Sequence, residues 1–255
     1  MAESHGESHA AERPPVLRVR GLTRSYGGRV AVEGLDLEVA RGEVLGLLGP
    51  NGAGKTTTLR SIAGVLPLQG GSVEVAGCDL ARSEVEAKRS LAWVPDDPRP
   101  FDALTVAEHL EFTAHLYRVE DHRERARVLL ERFELADRAS ALGSELSRGM
   151  RQKLAIAQAW LSNPAVVLLD EPLAGLDPRG IRGARTAIRE LASEGTAVVL
   201  SSHQLDLVEA MADRLLVLSR GRVAFSGTLA ELRAARAESS LEEVFLELTA
   251  AGDEA

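Results

Sequence analysis

The chain has 255 residues, 45% of them apolar and 27% charged, with a formal net charge of −8. That size and balance suit a soluble globular protein with one sizeable core, and the acidic excess argues against a nucleic-acid binder that relies on phosphate attraction. The longest apolar runs, at 166–169 and 197–200, are too short to span a bilayer; the single cysteine, Cys78, excludes an internal disulfide and fits a reducing cytoplasm.

Residues 1–14 are small and polar, include His5 and His9, and read as a disordered tail with no secretory signal. β-like runs follow at 17–22, 30–39 and 43–48, then at 72–75 and 91–94. Cys78, just after Gly77, reads as a turn residue. The run 43–48 ends in a glycine-rich turn and leads into the helical pattern TTTLRSIAGVL, the opening of a parallel βαβ unit. From 106 to 161 the pattern is helical and predicts a lobe inserted into the core. Its last segment, LSRGMRQKLAIAQAW, has Ser147 as a cap and apolar positions at Leu154, Ile156, Ala157 and Leu161. Serine, glycine and two arginines at one helix mouth suit an anion, without saying whose. Strands return at 165–170, 196–202 and 214–225, with RTAIRELASEG as a crossover helix between two of them. Continuous Val/Leu strands alternating with helices imply a parallel sheet covered on both faces. Residues 228–255 read as a mostly acidic helical tail. Its Leu241, Val244, Phe245 and Leu248 form one stripe, fit either to cap the chain's own core or to face a partner.

Gly49, Pro50, Asn51, Gly52, Ala53, Gly54, Lys55 and Thr56 spell GPNGAGKT, a full match to G-x-x-x-x-G-K-[ST], with Thr57 directly behind. Glycines let the backbone turn so that amide N–H groups point at phosphate oxygens. Lys55, one of only three lysines in the chain, supplies a mobile charge to the outer phosphates, and the Thr56 hydroxyl can ligate Mg²⁺. The acidic partner is expected at the end of another apolar strand, and AVVLLDE provides it. Asp170 would orient Mg²⁺ and Glu171 would polarise a water aimed at the γ-phosphate. Loop and acidic pair together point to nucleotide hydrolysis.

LSRGMRQK ahead of AVVLLDEPLAGLDP, with SSH about thirty residues later, resembles the ATP-binding subunits of ABC transporters, over residues 16–249. The resemblance implies an α/β fold: a P-loop NTPase core with a parallel sheet, an antiparallel β subdomain and an inserted α-helical subdomain at about 97–162. The ATP-binding domain would span 15–227, and ATP and Mg²⁺ would be its ligands. It also implies roles for single residues. Tyr26 matches the aromatic that stacks on adenine. Ser147 and Gly149 match the signature segment that meets the γ-phosphate held by an opposite subunit, so two chains packed head to tail would sandwich two ATPs. Asp177 matches a loop contacting that partner, and His203 the histidine that bonds the γ-phosphate and positions Glu171.

Two positions depart from the family pattern. The signature reads LSRGM where LSGGQ is usual, so Arg148 replaces a glycine. Asp96, in WVPDDP, stands where many relatives have a glutamine that contacts Mg²⁺ and the attacking water. It is a candidate catalytic and metal residue whose contact is direct, water-mediated or absent. The segments VPDDPRPFDALTVAEHLEF and ESSLEEVFLELT resemble those of exporter-type subunits with separate membrane partners. The implied protein is an ATP-hydrolysing exporter subunit on the cytoplasmic face of the cell membrane. It would work with a second ATP-binding subunit, favoured as an identical copy, and an integral membrane permease subunit, and with no nucleic acid. An importer subunit stays open, as do a soluble ABC-type ATPase acting on ribosomes or DNA and a non-hydrolysing nucleotide sensor. The single cassette without heptads counts against the soluble ATPase, and intact Glu171 and His203 count against the sensor. The cargo is not legible.

Overall fold

The computed structural model describes residues 14–234 and residues 243, 245, 247 and 248. Two long strands open the chain, β1 (Pro15–Tyr26) and β2 (Arg29–Ala40), and pair antiparallel with Val19 opposite Leu37 and Leu17 opposite Val39. β3 (Val44–Leu48) is buried at every position and feeds, through the glycine loop, into α1 (Lys55–Ile62). β4 (Gly70–Val75) and the short β5 (Cys78–Asp79) complete a four-stranded antiparallel sheet in the order β2-β1-β4-β5. Cys78 is therefore a strand residue paired with Val75 rather than part of the turn, which is made by Ala76 and Gly77 at positive φ.

After α2 (Glu84–Arg89), β6 (Leu91–Val94) leads into three helices, α3 (Val106–Tyr117), α4 (His122–Arg132) and α5 (Arg148–Leu161). Thr105 and Glu108 form a capping box at the start of α3, each side chain accepting from the other's backbone N–H. Those bonds hold the Glu108 carboxyl below its ordinary pKa. The chain then runs through β7 (Val166–Asp170), α6 (Pro178–Ser193), β8 (Ala197–Ser202), α7 (Leu205–Glu209) and β9 (Arg214–Ser219). β10 (Arg222–Gly227) and α8 (Leu229–Ala234) follow. The run at 214–225 is thus two strands: Arg220 and Gly221, with φ of 50° and 81°, turn it into a hairpin.

The second sheet has the order β10-β9-β3-β8-β7-β6, parallel throughout except for the antiparallel β10 edge. Its central strands β3, β7 and β8 are buried on both faces, and alternate residues go to different cores. Leu45, Leu47, Leu168, Val199 and Leu216 join β1, β2 and α1 in one cluster. Val44, Leu48, Leu169, Leu200 and Val217 join the helices α3 to α6 in the other. One face is therefore covered by the antiparallel sheet and α1, not by a helical layer alone. Phe245 and Leu248 are partly buried against the second cluster, as expected for a stripe that caps the chain's own core. Leu241, Val244, His5 and His9 lie outside the described residues.

Gly46, in the middle of β3, lets α7 sit directly on the sheet: a Cβ there would lie 2.1 Å from Val208 Cγ1 and 2.9 Å from Leu215 Cδ2. Gly46→Ala should overpack this contact and destabilise the fold by about 1–3 kcal/mol, read as a lower urea midpoint. Adding Val208→Ala should recover part of that loss.

Candidate functional site

β3 ends at Leu48 and the loop 49–54 carries the chain up to α1. Gly54, the N-cap, has φ 107°, and a Cβ there would stand 2.5 Å from the Ala31 carbonyl oxygen, so only glycine fits. No side chain caps α1 and no acidic residue lies in its first turn. The helix mouth is left with a partial positive charge and backbone donors for an anion.

Lys55 is the first residue of that helix and is buried, 6% exposed. Its Nζ donates to the carbonyls of Gly49 at 2.7 Å and Pro50 at 3.3 Å, and stands 3.8 Å from Glu171 Oε1. Burial pulls its pKa below the ordinary lysine value, while Glu171 and Asp170 oppose that pull. An incoming anion would favour the charged form further and bind more tightly for it.

The acidic pair sits at the end of β7. Asp170 is 1% exposed, and its Oδ1 accepts from Ser201 Oγ at 2.7 Å and Thr56 Oγ1 at 3.2 Å. Glu171 has φ 47°, unusual for a side chain with a Cβ. Its N–H holds this bend by donating to the Ser201 carbonyl at 3.2 Å and the Ser201 hydroxyl at 3.1 Å. The turn aims the carboxylate at β8: Oε1 lies 3.0 Å from His203 Nδ1, and Oε2 accepts from Ser202 Oγ at 3.4 Å. A carboxylate oxygen accepts, so Nδ1 carries the proton and Nε2 is left for another partner. Three neighbouring strands, β3, β8 and β7, thus bring Lys55, Thr56, Asp170, Glu171 and His203 together at their carboxyl ends, where open α/β sheets bind ligands.

The donors also suit a divalent cation. A threonine hydroxyl and a buried carboxylate are hard oxygen ligands, the pair that Mg²⁺ takes alongside phosphate oxygens. Ser201 is a site residue that sequence reasoning missed. The signal lay in SSH, but its meaning comes from the register that sets Ser201 opposite Asp170.

Tyr26, at the end of β1, is half exposed and lines one cleft of about 830 Å³ with Pro50, Asn51, Gly52, Ala53 and Thr57. The Arg24 guanidinium lies 5.0 Å from its ring centroid. Ser147, Gly149 and Asp177 do not line that cleft. Ser147 caps α5, accepting from Met150 N at 3.3 Å, and Gly149 packs beside the turn at Gly175. Asp177 caps α6, accepting from Gly180 N at 2.6 Å with Pro178 in the first turn, so within this chain it has a structural task. Asp96 accepts from Arg148 Nη2 at 3.2 Å, which brings the two unusual residues of the sequence into contact.

Ser201→Ala removes the shorter of two bonds to a buried carboxylate and a support for the Glu171 bend. It should cost about 1–3 kcal/mol in denaturant-midpoint measurements.

A model of the family described as "ABC transporter" matches residues 32–174. The daunorubicin resistance ATP-binding protein DrrA3 of Streptomyces coeruleorubidus is 38% identical over 233 residues, spanning 91% of this chain and 74% of its own. The lipopolysaccharide export system ATP-binding protein LptB of Escherichia coli (strain K12) is 33% identical over 85% of this chain and 92% of its own. A solved structure of the ATP-binding subunit of an ABC transporter superposes with a TM-score of 0.87 at 34% identity, covering 92% of this chain and 99% of that one. Motif, geometry and likeness agree: the chain belongs to the ABC transporter family, as an ATP-binding and ATP-hydrolysing subunit.

Proposed function

We propose that this subunit powers an exporter as a homodimer that closes on two ATPs and works on a separate membrane permease at the cytoplasmic face of the cell membrane. The observation that carries the reading is the meeting of Lys55, Thr56, Asp170, Glu171 and His203 at neighbouring strand ends. The names of two relatives, one concerned with daunorubicin resistance and one with lipopolysaccharide export, support the outward direction.

In this reading Tyr26 stacks on the adenine, and residues 49–57 cradle the phosphates with backbone donors while Lys55 neutralises their charge. Thr56 and Asp170 hold Mg²⁺, which when bound supplies further neutralisation of the phosphate charge. Glu171 accepts the proton of the attacking water, oriented by His203, whose Nε2 faces the terminal phosphate. Ser147 and Gly149 serve the ATP of the other copy, and the 171–177 turn that ends in Asp177 lies along the same interface. Closure is driven by differential binding, because ATP contacts both chains only in the closed state.

The permease docks on the lobe at about 97–162. At its edge, Trp93 and Pro95 from the end of β6 and Phe101, Phe112 and Leu116 from the lobe line a cavity of about 290 Å³. Phe101 and Leu116 are 59% and 61% exposed, apolar surface of the kind that partners cover. No helix among the described residues is long and apolar enough to cross a membrane, which fits a subunit that reaches the bilayer through another protein.

Two variants test the assignment in different quantities. Glu171→Gln should lower kcat by about 10²- to 10⁴-fold with ATP affinity retained. Lys55→Ala should weaken ATP binding by about ten- to hundredfold. Unchanged turnover in the first variant would contradict the role of Glu171 as base, and unchanged affinity in the second would contradict that of Lys55 as phosphate ligand.

A further inference from the structure

The two departures from the family pattern lie 52 positions apart in the sequence yet touch in space. Arg148 Nη2 donates to Asp96 Oδ1 at 3.2 Å, and both side chains are about half exposed. The arginine does not reach across open solvent. Its chain lies along the turn after β7, with Cδ 3.1 Å and Nε 3.2 Å from where a Cβ on Gly175 would be. A glycine at φ 76° thus makes the channel in which the arginine rests.

The electrostatics of this position are unusual. Arg148 is the first residue of α5, whose opening turn contains no acidic residue, so a cation sits where the helix dipole is already positive. Such a site calls for an anion, and the chain supplies one of its own from the segment between β6 and α3.

We propose that Asp96 is a positioning residue that parks Arg148 in the resting chain by standing in for a phosphate. Arg148 is then handed to the terminal phosphate of the ATP bound by a second copy. The proposal rests on the shared-site reading above and adds to it the reason for both departures. A guanidinium prefers a multiply charged phosphate to a half-exposed carboxylate, so the exchange is favourable once ATP arrives and reverses when the phosphate leaves. Because the pair is exposed, the restraint is mild, and closure is opposed only weakly. Asp96 acts through Arg148 and not on the metal or the attacking water.

The test uses the full chain carrying Glu171→Gln, so that bound ATP persists, and measures the ATP concentration giving half-maximal dimer by analytical ultracentrifugation. A chain that never dimerises with ATP would overturn the shared-site reading, and this proposal with it. Where the dimer forms, Asp96→Asn should lower that concentration by about two- to fivefold. Arg148→Gln should raise it, and Asp96→Asn should add nothing in the Arg148→Gln background. Asp97→Asn removes the same charge one residue away, from an aspartate 3.8 Å from Arg151, and should leave the concentration unchanged. With Glu171 intact, Asp96→Asn should lower KM for ATP while kcat holds.

The parking role is overturned if Asp96→Asn leaves the concentration unchanged or raises it. It is equally overturned if the same shift appears without Arg148 or with Asp97→Asn, or if kcat falls at constant KM. Both side chains being half exposed, each variant should fold with a Tm within about 4 °C of the parent.

Discussion

The whole arrangement depends on keeping one ammonium charge buried at the end of a parallel sheet. Lys55 is almost fully enclosed, and burial pulls its pKa below the ordinary lysine value; two carboxylates at the end of β7 oppose that pull. Those carboxylates are in turn tied to β8 by the hydroxyls of Ser201 and Ser202. Because β3, β8 and β7 are neighbours in the sheet, a register fixed by backbone ladders brings together groups from three distant parts of the sequence. The fold does not merely carry this site; strand register determines its geometry.

The start of α5, which carries a cation and no acidic residue in its first turn, is on the proposed account a second, separate surface for an anion. Ser147 caps that helix and Arg148 follows it, yet neither lines the cleft shared by Tyr26 and the phosphate loop. On the proposed function, two halves that do not meet within one copy complete their site between copies. On the proposed account the nucleotide is what joins them, and the Arg148–Asp96 contact sets how readily it does so.

Much of this was legible in the sequence because local pattern and chemistry coincide there. GPNGAGKT between a strand and a helix, and AVVLLDE as an apolar run ending in carboxylates, needed only period and spacing to be placed. Their meeting in space follows from a parallel sheet, which the Val/Leu runs already implied. What stayed hidden was set by tertiary register. Ser201 had no reading of its own in the sequence, because its role follows from the register that sets it opposite Asp170. The hairpin at Arg220 and Gly221 was masked by β-formers on both sides of its turn. Asp177 read only as an interface residue, although Asp-Pro ahead of a helical pattern is itself a capping signal. Arg148 and Asp96 were each noticed as odd, and only the folded chain shows that they answer one another.

The most direct test of the joint grip is covalent capture of the closed pair. In a Cys78→Ser, Glu171→Gln background, cysteines at Ser147 and at Asn51 in the phosphate loop would be offered an oxidant with and without ATP. A crosslinked dimer that forms only with ATP, and needs both cysteines, is the expected result. Monomer alone under every nucleotide condition, with ATP binding intact, would show that each chain holds its nucleotide unaided and would contradict the account.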